Sequence, residues 1–310
     1  MTSSEARVFL INFNLKSCYQ SSGRGLLNEL WFPSKRSHSA RIHFTRLSNN
    51  NGTTNRVVTS PQQAKLWVDR ANTVYHYADL EFFFIPDEFG PDWSNLNNTV
   101  INRMTGECDG INFNTGGTYP SWCDASDTNS YNPHNTWVEE RNEANDFAAD
   151  FPEKIMVYLR HGPFSGATGG GFSNTTFNFV AMPGYLNTAL CGKSGNVDLL
   201  AHEMGHYLGL DHTFARSFKT VAEAQTFFNN NGRRSSLFDG DRLSDTLPDP
   251  FISGSLQCQL SKYTVTLSGT KFVIPRNNIM TYWHSLVKNL SPAQIRKVFK
   301  ILKKRLGLYY

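Results

Sequence analysis

Residues 200–212 read Leu-Ala-His-Glu-Met-Gly-His-Tyr-Leu-Gly-Leu-Asp-His and fill the pattern H-E-x-x-H-x-x-G-x-x-H. On a helix, residues four apart share one face, so His202 and His206 can reach a single ion. Gly209 can adopt a positive φ, which ends the helix and reverses the chain, and His212 can then swing back as a third ligand. Three imidazoles leave one position of a tetrahedral zinc ion open for water, the arrangement of catalytic rather than structural sites. Glu203 follows the first histidine and is placed to take a proton from that water. A bare H-E-x-x-H arises by chance on polar helices; Gly209 and His212 make the pattern specific. The fold must bury one face of this helix, and Val197, Leu199, Leu200, Met204 and Leu208 supply that face. Asn196 or Ser194 is expected to cap it, and Asp198 suits the dipole of the first turn.

A second signal stands downstream, Asn277-Asn278-Ile279-Met280-Thr281-Tyr282-Trp283. It resembles the Met-turn of the metzincin zinc metalloproteases. The resemblance implies that Met280 lies beneath the histidines and that Tyr282 stands near the metal and the reaction intermediate. A packed core methionine and a packed core tyrosine are the plain alternatives. Within that clan the chain is most similar to the pappalysin family. Gly209-Leu210-Asp211-His212-Thr213-Phe214 is similar to that family's G-L-x-H-T-F. The segment Phe238–Pro250 resembles its G-D-x-x-x-D-T-P, with Leu247 interposed between Thr246 and Pro248. The likeness covers residues 198–302; the first 190 residues match only in architecture.

The resemblance implies an α+β, metzincin-like zincin fold within a catalytic domain at 39–310. An upper lobe (about 39–209) would carry a mixed twisted sheet with helices, among them the zinc helix. A smaller, irregular lower lobe (about 210–310) would carry the Met-turn and a C-terminal helix. Residues 1–38 read as an N-terminal extension or the remnant of a prosegment. The implied activity is zinc-dependent endopeptidase, a hydrolase acting on protein or peptide substrates. A zinc-dependent amidase acting on a non-peptide or cell-wall amide shares the same motif. A non-catalytic, zinc-stabilised binding module is a third reading, and the intact Glu203 argues against it. Asp239, Asp241, Asp245 and Asp249 crowd one Gly/Pro-containing loop. Oxygen ligands so spaced suit calcium, which some pappalysins hold in this region. Aspartates serving only as caps and turns are the alternative.

The whole chain narrows the field further. Its 310 residues are 39% hydrophobic and 18% charged with a net charge of +4, which is ordinary for a globular protein and too mild to argue for nucleic acid. Lys297, Lys300, Lys303, Lys304 and Arg305 read as the solvated face of a final helix. No apolar run approaches membrane-spanning length, and a monomer is expected. The segment Arg7–Phe13 is too short and polar-edged for a signal peptide. Sequons at Asn51, Asn97, Asn174 and Asn289 fit a secreted protein, although an Asn-rich chain produces them by chance. Five cysteines leave at least one unpaired. Cys108–Cys123 and Cys191–Cys258 are candidate disulfides, and Cys18 reads as an ordinary thiol before a latency switch.

Periodicity places strands at Ala40–Leu47, Leu80–Ile85, Lys154–Arg160 and Phe177–Met182. It places helices at 61–78, started by Ser60 and Pro61, and at Trp137–Ala149. A last helix opens with Ser291 as cap, Pro292 and Gln294, and buries Ile295, Val298, Phe299 and Leu302. Gly166–Gly171 reads as a flexible rim of the cleft. Phe177–Met182 is the candidate edge for pairing with an extended substrate, an inert packing strand being the equal alternative.

Overall fold

A computed structural model describes residues 38–48, 57–102, 136–160, 171–186, 197–253, 256, 258–259 and 261–305, with the backbone alone at 136–140. The N-terminal extension, Cys18, Cys108, Cys123, Cys191, Asn51, Ser194 and Asn196 lie outside the described residues.

Five strands form one sheet: β1 (His38–Leu47), β2 (Leu80–Phe83), β3 (Trp93–Leu96), β4 (Lys154–Arg160) and β5 (Phe179–Pro183). The order is β2-β1-β4-β5, with β3 also paired to β1. The β1–β3, β1–β4 and β4–β5 pairings are parallel. At the β5 edge a single antiparallel bridge joins Phe172 to Ala181. Parallel strands are covered on both faces and therefore read as nearly continuous apolar runs. In β4, Ile155, Val157 and Leu159 enter one core while Met156 and Tyr158 enter another. This is the two-residue alternation of a pleated strand.

Helix α1 (Pro61–Val74) starts where the sequence indicates. Ser60 and Gln63 form a reciprocal capping box with Pro61 in the first turn, and Ala64, Trp67, Val68, Ala71 and Val74 are buried. The chain then tightens into a 3-10 turn, Tyr75–Ala78, closed by Asp79 in the left-handed region, so the α-helix stops short of residue 78. Helix α2 (Thr136–Ala149) covers the opposite face through Ala144 and Ala148. Helix α3 (Leu199–Tyr207) packs against α1 in the first core.

Residues 218–283 build a separate core, centred on Phe218, Phe228, Phe238, Phe251, Phe272 and Trp283. It surrounds helix α4 (Val221–Asn230) and the hairpin β6 (Thr264–Leu267)–β7 (Thr270–Val273). Sequence reading took this stretch as irregular. Its helix has a start signal nonetheless: the Thr220 hydroxyl accepts from the Glu223 amide, and the Glu223 carboxylate accepts from the Lys219 amide. Helix α5 (Pro292–Arg305) opens with Ser291 and Gln294 exchanging bonds of 3.0 and 3.2 Å, the expected box. Its Val298 and Leu302 return to the first core. No helix among the described residues is long and apolar enough to cross a membrane.

Candidate metal centre

The end of α3 sets the site's geometry. Leu208 caps the helix and Gly209 follows with φ of 87°. The Gly209 amide donates to the His206 carbonyl and the Leu210 amide to the Gly205 carbonyl, the two bonds of a Schellman turn. That turn also brings the Leu210 carbonyl to 2.8 Å from His206 Nδ1. At the other end Asp198 occupies the cap position without a side-chain cap bond; its carboxylate pairs with Arg70 instead.

His202, His206 and His212 converge, with one ligand atom from each lying within 4.8 Å of the others. His212 Nε2 stands 3.1 Å from His202 Nε2 and 3.0 Å from His206 Nε2. Imidazoles around a tetrahedral ion with bonds of about 2.0–2.1 Å would have nitrogens roughly 3.3 Å apart, so the triangle is of the right size. The hydrogen-bond partners of the rings are consistent with a shared ion. His202 Nδ1 lies 2.8 Å from the Ile279 carbonyl, and His206 Nδ1 faces that of Leu210. A carbonyl only accepts, so each Nδ1 carries the hydrogen and each Nε2 is a bare lone pair. Two such lone pairs face His212 Nε2, whose single N–H could serve only one. A cation satisfies all three. Burial is the largest cause holding all three imidazoles below their ordinary pKa, His212 down to about 4, with neighbouring histidines adding to it at His202 and His212. They are therefore neutral at pH 7, as metal ligands must be.

Glu203 is buried beside His202. Burial lifts its carboxyl to about 8, against the charge of Arg160 and the Ser173 amide, which both favour the ionised form. A dication nearby acts in the same direction as Arg160. Tyr282 is 46% exposed, with its ring centroid 4.8 Å from that of His212 and 5.3 Å from that of His202. Burial, and then Glu203, raises its phenol to about 12, so it keeps its proton as a donor. Met280 is fully buried beneath α3. A Cβ on Gly205 would stand 2.3 Å from the Met280 sulfur, so the glycine inside the zinc motif is the seat of the methionine.

No three of the four aspartates bring their carboxylates together among the described residues. Among the described residues the three histidines are the only group placed to share a metal. Asp239 accepts from the Arg242 amide, and Asp245 accepts from Ser291 and the Ala293 amide at the start of α5. Asp241 takes the Leu243 amide, the Thr246 hydroxyl and the Gln294 amide group. Asp249 accepts from the Thr213 hydroxyl, the Thr281 hydroxyl and the Trp283 indole, each at 2.7 Å. Calcium therefore finds no support here, and the carboxylates serve turns, a helix start and a buried tie. Sequence reading missed three contributors here. Arg160 and Ser173 act on Glu203 from the sheet side, and Tyr75 donates to the Ala201 carbonyl from beneath α3. Gly171, expected at a flexible rim, instead packs against Glu203.

No family model and no curated protein matches the chain. Among solved structures it is similar to mature mirolysin of Tannerella forsythia in complex with a cleaved peptide. The identity is 12%, over 89% of this chain and 97% of that one, with a TM-score of 0.48. A promirolysin mutant of the same organism gives 11% identity, 89% and 86% coverage and a TM-score of 0.45. A chaperone–substrate complex gives 14%, 88% and 34%, with a TM-score of 0.30.

Proposed function

We propose that the chain is a zinc-dependent endopeptidase of the metzincin type, its two cores forming the two lobes of that fold and its motifs pointing to the pappalysins. The observation that carries the reading is the convergence of three Nε2 atoms, two of which, those of His202 and His206, have their ring protons committed to carbonyls on the Nδ1 side. His202, His206 and His212 would hold the ion. When bound, zinc supplies acidity to a coordinated water and polarises a carbonyl. Glu203 receives the proton of the attacking water on its carboxylate and returns it to the leaving amine. The Tyr282 hydroxyl donates to the oxygen of the scissile carbonyl as charge develops there. Met280 keeps the histidines level from below. The same reading makes the protein secreted, a setting to which its sequons belong.

Metal analysis of the purified chain and digestion of a peptide library, with and without a zinc chelator, test the class. Glu203→Gln should retain zinc and lose activity by a factor of about 10²–10⁴. Undiminished turnover in that variant removes Glu203 from the mechanism. Cleavage of non-peptide amides with no peptide cut would favour the amidase.

A further inference from the structure

Glu203 lies against a wall that the zinc pattern does not contain. A Cβ added to Gly171 would stand 2.5 Å from Glu203 Cγ, 2.9 Å from Glu203 Cδ and 2.9 Å from the Ala181 carbonyl oxygen. The backbone of Gly171 is not in the left-handed region, so conformational freedom is not what glycine supplies here. The backbone on each side of the contact is tied into the fold. Ala181 belongs to β5, and Phe172, next to Gly171, is tied to it by two bonds of 3.0 Å, one in each direction. The Phe172 ring lies under the Arg160 guanidinium and edge-on to Phe177 and Phe179. Across the gap, α3 is pinned by the fully buried Leu200, Ala201 and Met204 and by the Tyr75 hydroxyl on the Ala201 carbonyl. Two anchored backbone segments therefore face each other with the Glu203 side chain and its carboxylate between them.

We infer that Gly171 is a positioning residue for Glu203: its missing side chain is the slot in which the carboxylate arm lies, and the 171–173 backbone fixes the arm's direction. The inference rests on Glu203 being the base proposed above. Misplacing a reacting group by an ångström costs on the order of 100-fold, so one methyl group at residue 171 is enough to disable the base while the ligands stay in place.

The test is Gly171→Ala in the full, zinc-loaded chain, alone and combined with Glu203→Ala. In the single variant kcat should fall about 100-fold with KM and zinc content unchanged. Its Tm should fall, and a crystal structure should show the Glu203 carboxylate displaced. Beside Glu203→Ala, which removes Cγ and Cδ, the Tm cost of the same methyl should shrink. A single variant that fails to fold while the double variant folds is the extreme form of that coupling and supports the inference. An equal Tm cost in both backgrounds, an unmoved carboxylate, or failure of both variants to fold overturns it. A wild-type chain that cuts no peptide sinks the peptidase reading alone, since the Tm and crystallographic comparisons still decide the role of Gly171.

Discussion

His202 and His206 reach the site by one kind of physics and His212 by another. The first two ride on α3, whose apolar side is sealed into the first core with Trp67, Val68, Met280 and Val298. Their placement follows from burying oil, which is non-directional and tolerates small changes. His212 sits in a turn with no helix of its own. The Thr213 amide donates to the Met280 carbonyl at 3.2 Å, the Gly240 amide donates to the Thr213 carbonyl at 2.9 Å, and the Thr213 hydroxyl donates to Asp249. Gly240 runs so close that a Cβ there would lie 2.4 Å from the His212 and Phe214 carbonyl oxygens. His212 is thus held by directed polar ties, and a buried polar network fails abruptly when one member is lost.

Asp249→Ala should separate the two regimes most sharply. It strands two hydroxyls and an indole N–H in a fully buried place, at a cost of about 3–5 kcal/mol in stability. Because those donors flank His212 and Met280, zinc affinity should also fall, roughly 10- to 100-fold, in competition with a chelator. Lower stability with zinc affinity intact would show that His212 stands without these ties.

Lys288 extends the network and gives it a pH signature. Its buried ammonium donates to the carbonyls of Arg276, Asn278 and Trp283, spanning the turn around Met280. Burial lowers its pKa from 10.5 to about 8. Below pH 8 the folded and unfolded chains both hold this proton. Between pH 8 and 10.5 the unfolded chain holds it and the folded chain does not, so stability rises with pH by up to about 3 kcal/mol. The difference in unfolding free energy between wild type and Lys288→Met, followed from pH 7 to 10, should show that rise. A flat difference would mean that the carbonyl cage keeps the ammonium charged throughout.

The same division explains what could be read from the chain. Periodicity found β1, α1, β4, α3 and α5, because each buries a regular stripe or run in the first core. The Schellman turn at Gly209 and the caps at Ser60 and Ser291 were legible because their chemistry is local in sequence. Asp249 was seen only as one of four acids. Its partners Thr213, Thr281 and Trp283 lie 32–36 residues away, and no local pattern distinguishes a carboxylate facing three donors from one facing solvent. Gly171 was misread for the same reason, since its meaning is the side chain of a residue thirty-two positions on. The α4 start at Thr220 was local and was overlooked in a Phe- and Asn-rich stretch.

The smallest effect is the most discriminating, because it compares like with like. Ser60 and Ser291 each open a helix with the same box, and replacing either with Ala should cost about 1 kcal/mol. Ser60 touches nothing at the site. Ser291 also donates to Asp245, and its partner Gln294 exchanges bonds with Asn278, whose side-chain oxygen accepts from the Met280 amide. Ser291→Ala should therefore loosen the turn around Met280 and weaken binding of zinc at the proposed site a few-fold, whereas Ser60→Ala leaves it alone. Equal stability losses with equal, unchanged zinc affinities would mean that the polar region holds its shape as independently of its neighbours as the apolar one does.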